Sequence, residues 1–163
     1  IKEKIELHII TDKYFYKFLN KYGKVNTRQF LKALKIKTIF HEWSIENLQK
    51  VVLNSDLGVI PINNKDPMMV GKPENKLLLL WRMALPVLVS STPAYQKVMI
   101  QANQDNFINK ESEWLRLIEE FMSSNEKRKQ TGISGYDFVQ QNYSKKEFIK
   151  RWINVFSSLG YGI

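Results

Sequence analysis

The chain has 163 residues, of which 44% are apolar, 12% aromatic and 25% charged, and its formal net charge is +9. That is one ordinary domain's worth of chain, with enough apolar residues to bury a core, which excludes a disordered polymer. The absence of cysteine excludes disulfides, thiolate metal sites and thiol catalysis and fits a reducing compartment, while two histidines, His8 and His41, argue against a multi-histidine metal centre.

In chain order, residues 5–11 (IELHIIT) alternate apolar and polar side chains and predict a strand. Asp12 can cap a helix over 13–20, with Phe15, Phe18, Leu19 and Tyr22 on one face and Gly23 at its end. Residues 27–34 predict a short helix or turn, and 37–43 (KTIFHEW) a second strand. Ser44 opens a helix to about Asn54 with Ile45, Leu48, Val51 and Val52 inward. Residues 56–62 (DLGVIPI) read as a buried strand that stops near Pro61, and 63–71 (NNKDPMMVG) as a loop. Pro73 sits where a first-turn proline belongs, Glu74 adds favourable charge, and the helix 73–84 is apolar nearly all round, so burial is expected. Residues 85–90 (LPVLVS) predict a third buried strand, 91–93 a turn, 94–102 a helix and 106–108 a short edge strand. An amphipathic helix over 112–122 places Trp114, Leu115, Ile118 and Phe121 on one face, and helices over 125–142 and 145–159 close the chain. Trp81, Met83, Trp114 and Trp152 are expected in the core, and His8, mid-strand, as a structural residue.

Buried strands alternating with helices indicate an α/β domain with a parallel sheet covered on both faces. Right-handed crossovers make this a Rossmann-like doubly wound sheet, expected as a single domain over 1–163. Ligands of such folds sit beyond the carboxyl ends of the strands, here 11–13, 41–43, 61–72 and 90–95.

The positive charge asks for an anionic partner. Between Lys13 and His41 there are eight basic side chains and no Asp or Glu. Tyr14, Phe15, Tyr16, Phe18 and Tyr22 interleave with those lysines as in single-strand nucleic-acid binders, but the four-residue spacing of Lys13, Lys17 and Lys21 reads as a solvated helix face, so nucleic acid is not the expected partner. The stretch 71–76 (GKPENK) sets Lys72 directly before a helix start, where free backbone N–H groups favour a phosphate. The alternative is that Lys72 and Lys76 are solvated and Glu74 merely caps the helix. His41, at a strand's carboxyl end beside Glu42 and Trp43, could bond a base or phosphate or move a proton, or be a satisfied structural histidine. Trp43 could stack on a nucleobase or close the core's edge.

The run SDLGVIPI…GKPENKLLLLWRMALPVLVSSTPAY resembles the carboxyl-terminal, donor-binding domain of GT-B glycosyltransferases. The preceding FHEWSIENLQKVVLNSD, and downstream NFINKESEWLRLIEEFM and FVQQNYSKKEFIKRWINVF, continue the resemblance over roughly 38–156. It implies a nucleotide-sugar as donor substrate, no metal or other cofactor, and transfer of the sugar to a hydroxyl acceptor in glycan or surface-polysaccharide assembly. It also implies the donor contacts: Lys72 on the diphosphate with the helix start at Glu74–Lys76, Glu74 and Asn75 on ribose or sugar, His41, Trp43, Pro61 and Ile62 around the base, and Ser91 and Thr92 lining the cleft. It names no catalytic residue. Two family features differ: the paired glutamates of many retaining members fall on Gly71 and Leu79, and the glycine before LPV is Ala84.

A complete enzyme of this kind has a second, amino-terminal Rossmann-like domain, and the chain opens on Ile1, so a fragment inactive without that partner domain is expected. Cytoplasmic location is expected, with an anionic membrane surface as a further partner because lipid-linked acceptors are common in glycan assembly. A sugar-nucleotide epimerase half and a non-catalytic basic binding module are the alternatives.

Overall fold

The computed structural model describes residues 5–16 and 23–161. The protein is α/β, about half helical with short sheets, and its chain clusters into two compact units, residues 1–54 and 55–163.

In the first unit, β1 (Leu7–Thr11) is followed by an antiparallel hairpin, β2 (Tyr14–Tyr16) and β3 (Lys24–Asn26), then α1 (Thr27–Leu31), β4 (Thr38–Glu42) and α2 (Ile45–Val52). β1 and β4 pair in parallel, from Leu7↔Thr38 to Thr11↔Glu42. Side chains alternate along a strand, so Glu6, His8 and Ile10 share one face with Lys37, Ile39 and His41. Asn26 and Ser44 cap α1 and α2 by accepting from the backbone N–H groups of Gln29 (3.1 Å) and Asn47 (3.0 Å). Buried Thr27 fixes the hairpin's base: its Oγ1 donates to Asp12 O at 2.7 Å and its N–H to Lys13 O at 3.0 Å.

Two expectations fail here. Residues 14–16 form a strand, not the start of a helix. Tyr-Phe-Tyr favours a pleated surface, Phe15 packs edge-on against Phe30 (5.5 Å, 81°), and Lys24 lies over the Tyr14 ring at 4.4 Å. The remainder of that expected helix, 17–20, with Tyr22, lies outside the described residues. Ile45 is 64% exposed rather than inward, because the buried stripe of α2 is carried by Val51 and Val52 at its other end.

The second unit runs β5 (Gly58–Ile60), α3 (Pro67–Val70), α4 (Asn75–Trp81), β6 (Val87–Ser90), α5 (Pro93–Gln101), β7 (Phe107–Ile108), α6 (Glu113–Ser123), α7 (Asn125–Asn142) and α8 (Lys145–Ser158). Its sheet has the order β5-β6-β7 with every pair parallel. Parallel neighbours need crossovers, supplied by α4 and α5, each of which therefore begins at the strands' carboxyl end. β6 is buried along its whole length. Its Val87 and Val89 pack with Leu77, Trp81, Val98, Met99 and Val139 of α4, α5 and α7, whereas Leu88 packs with Ile108 and with Leu117 and Phe121 of α6.

Close approach explains two glycines of α7. A Cβ on Gly132 would collide with the carbonyl oxygen of Ala84, and one on Gly135 would lie 2.6 Å from the Trp81 ring. Trp81 is fully buried and its Nε1 has no hydrogen-bond partner among the described residues. Ala84 ends the α4 turn at φ +54°, in the left-handed region that favours glycine.

The segment expected as a loop contains α3, which Asp66 caps by accepting from Met68 N–H at 3.0 Å. α4 buries Leu77, Leu78 and Trp81 but leaves Leu79 40% exposed, so it is amphipathic rather than buried all round. On α6 the inward leucine is Leu117; Leu115 is 57% exposed, because the buried arc runs through 117 and 121, one turn apart. Trp152 is exposed, edge-on to Phe148 (6.2 Å) and stacked on Phe156 (5.8 Å), both at four-residue spacing on α8. Among the described residues, no helix is long and apolar enough to cross a membrane.

Candidate functional site

In the second unit, β5 delivers the chain to Pro61 and Ile62, and β6 delivers it to Ser90, Ser91 and Thr92. A side chain joins these two ends: Ile62 N–H donates to Ser90 Oγ at 2.8 Å, and Ser90 Oγ–H donates to Ile62 O at 3.3 Å. Ser90 is buried, so this exchange satisfies a hydroxyl that would otherwise be costly to desolvate. Ser91 is half-buried, and its N–H donates to Ile108 O at 2.9 Å. Thr92 is buried with its Oγ1 accepting from Tyr95 N–H at 3.4 Å, so its side chain belongs to the cap of α5 rather than to a cleft wall.

The residues before α4 divide into two kinds. Lys72, Asn75 and Lys76 are exposed, and the Lys72 and Lys76 ammonium groups make no ion pair among the described residues. Glu74 is half-buried and makes no cap hydrogen bond to its own helix. Its Oε1 instead accepts from Tyr143 Oη at 3.5 Å. Burial, and then the Glu74 charge, push the Tyr143 hydroxyl above its ordinary value, and the same two causes raise that of Tyr95 at the start of α5. Glu74, Tyr95 and Tyr143 are thus one electrostatic group, although neither tyrosine is singled out strongly by the sequence.

A cleft of about 380 Å³ lies alongside α4, lined among others by Asn75, Leu78, Leu79, Arg82, Tyr143 and Arg151. Of the donor-contact residues expected in this unit, Asn75 alone borders it. Its two guanidiniums are partly engaged: Arg82 donates to Tyr143 O at 2.9 Å, and Arg151 donates to Asn142 O at 2.7 Å while lying over the Tyr143 ring. Leu79, the position where the family pattern places a glutamate, forms part of its apolar wall.

His41 and Trp43 belong to the first unit. Trp43 is 49% exposed, with its N–H donating to Thr11 O at 3.0 Å. His41 is half-buried, and its Nε2 lies 2.9 Å from Nδ1 of His8, the two rings stacked at 5.1 Å and 10°. His8 Nε2 is 2.8 Å from Glu6 Oε1, and the other Glu6 oxygen is ion-paired with Lys37. Burial, then the neighbouring His8 and Lys50, hold His41 below the ordinary imidazole value. Lys37 first and His8 second hold Glu6 below the usual carboxylate range. His8, expected as a merely structural residue, is the link in this chain; only strand register brings it to His41.

Among the described residues, no group of three or more His, Asp or Glu side chains could hold a metal ion. Set against known proteins, the chain has no match among family models, curated sequences or solved structures.

Proposed function

We propose that the chain is the nucleotide-sugar-binding domain of a GT-B type glycosyltransferase, a Rossmann-like doubly wound fold that holds an activated sugar donor for transfer to a hydroxyl acceptor. The observation that carries this reading is the β5–α4–β6–α5–β7 array: three parallel strands, helices packed against both faces of β6, and both crossover helices starting at the carboxyl ends where Pro61–Ile62 meet Ser90–Thr92. Open parallel sheets bind ligands there. Ala84 adds support, since its left-handed backbone stands where the family pattern has glycine.

In this reading the exposed ammonium of Lys72 neutralises the donor diphosphate, with Lys76 adding charge one turn on. A phosphate leaving group departs more easily when its developing charge meets a fixed cation. Asn75 and the carboxylate of Glu74, held by Tyr143, contact ribose or sugar hydroxyls. Glu74 as a ribose acceptor replaces the carboxylate that Leu79 cannot supply.

The test is calorimetric titration of the chain and its Lys72→Ala variant with nucleoside diphosphates. Loss of a charge-assisted phosphate contact weakens binding by about tenfold or more. Unchanged affinity in the variant would overturn the assignment of Lys72.

A further inference from the structure

On one face of the β1–β4 pair, four side chains from two stretches of chain form a single line: Lys37, Glu6, His8 and His41. The donor and acceptor inventory fixes where its protons sit. An ionised Glu6 only accepts, so His8 Nε2 carries a hydrogen. In the neutral His8 ring Nδ1 is then a lone pair, and the N–H in the 2.9 Å contact belongs to Nε2 of His41. That leaves the lone pair of neutral His41 on Nδ1, which has no hydrogen-bond partner among the described residues. His41 lies near the carboxyl end of β4, the end at which parallel strands present ligand-binding groups.

We propose that Glu6, His8 and His41 form a proton relay that makes His41 Nδ1 a proton-accepting site for a hydroxyl group of a ligand. The step balances without any redox partner. The ligand O–H bond breaks with its electron pair left on oxygen, and an N–H bond forms at His41 Nδ1. The hydrogen on His41 Nε2 passes to Nδ1 of His8, and the positive charge comes to rest beside the Glu6 carboxylate. Lys37 holds Glu6 from the β4 side, and Lys50 of α2 is the charged group that bears on His41 from the helix, where its cation disfavours a charge kept on His41 itself. Glu6 and His8 are positioning residues: they act through His41. The relay is built from the first unit alone and does not rest on the nucleotide-sugar reading.

Nitrogen-15 NMR titration of the two imidazoles in the intact chain tests the relay, with diethylpyrocarbonate as a probe of nitrogen lone pairs. The expected result is a coupled titration in which the first proton shifts both rings at one midpoint, and carbethoxylation of His41 several-fold faster than of His8. His8→Asn should leave a single, uncoupled His41 curve, and Glu6→Gln should lower the shared midpoint and slow the modification of His41. Two independent one-site curves in the unmodified chain, or His8 reacting as fast as His41, would overturn the proposal without requiring either variant to fold. A merely structural histidine pair would leave the carbethoxylation rate of His41 unmoved in Glu6→Gln. Failure of nucleotides to bind contradicts the donor-site reading and leaves these curves as they are, so the two failures are distinguishable.

Discussion

The two parallel strand pairs, β1–β4 and β5–β6, start from similarly apolar sequence and end in different chemistry. β6 is buried on every residue, and its one polar side chain, Ser90, is bonded at once to Ile62. No residue of β1 or β4 is fully buried, and their shared face carries Glu6, His8 and His41 in a hydrogen-bonded line. Covering both faces turns a strand into scaffold, since every polar atom must find a partner inside. Leaving one face open permits titratable groups, at a cost in rigidity. The second unit holds its ligand candidates on loops set by a packed core; the first presents its candidates on the strands themselves.

The comparison breaks most sharply at Gly132, where α7 meets the Ala84 turn. Gly132→Ala inserts a methyl against a backbone carbonyl that cannot swing away, and should destabilise the second unit by about 2–4 kcal/mol. Urea unfolding measures this; a change within error would mean that the helix and turn separate without cost.

A smaller effect, of opposite sign, is expected at the Ala84 turn that Gly132 faces. Ala84→Gly relieves a left-handed alanine, and the gain should exceed glycine's extra unfolded-state entropy by about 0.5–1 kcal/mol. The same urea midpoint reports it, and a loss of stability would count against strain at this position.

The smallest effect belongs to the first unit. His41 is held below its ordinary value, so as pH falls through about 6.5 the unfolded chain takes up a proton before the folded one and stability declines. Glu6, also lowered, extends the decline in the carboxylate range, where its ion pair with Lys37 is lost on protonation. Hydrogen exchange of the β4 amides should therefore quicken on acidification relative to those of β6 once the intrinsic pH effect is removed. Equal protection in both strands across that range would erase the contrast.

What the sequence makes legible follows from periodicity. β1, β4, β6 and the helices α2, α5, α6 and α7 stand within a few residues of where alternation, caps and helical stripes place them. The side-by-side arrival of Pro61–Ile62 and Ser90–Thr92 is likewise readable, because both are strand ends in a βαβ pattern. Residues 14–16 are misread because Phe15 lines up with Phe18, Leu19 and Tyr22 at helical spacing in the sequence, and only the partner strand 24–26 shows that 14–16 are extended. Leu117 is missed in favour of Leu115 because helix phase is set by what packs against it, here Leu88 and Ile108. Strand register is invisible in one sequence, so the meeting of His8 with His41 is too. The contact of Glu74 with Tyr143 spans a separation of 69 residues and has no local signal.

The central claim, that the carboxyl ends of β5 and β6 hold a nucleotide donor, is tested most directly by calorimetric titration of this chain with UDP, GDP, CDP and ADP at near-physiological salt. The account predicts saturable binding of one nucleotide in preference to the other three, lost in Lys72→Ala. Absence of binding by any of them at millimolar concentration, or equal binding to chain and variant, would contradict it.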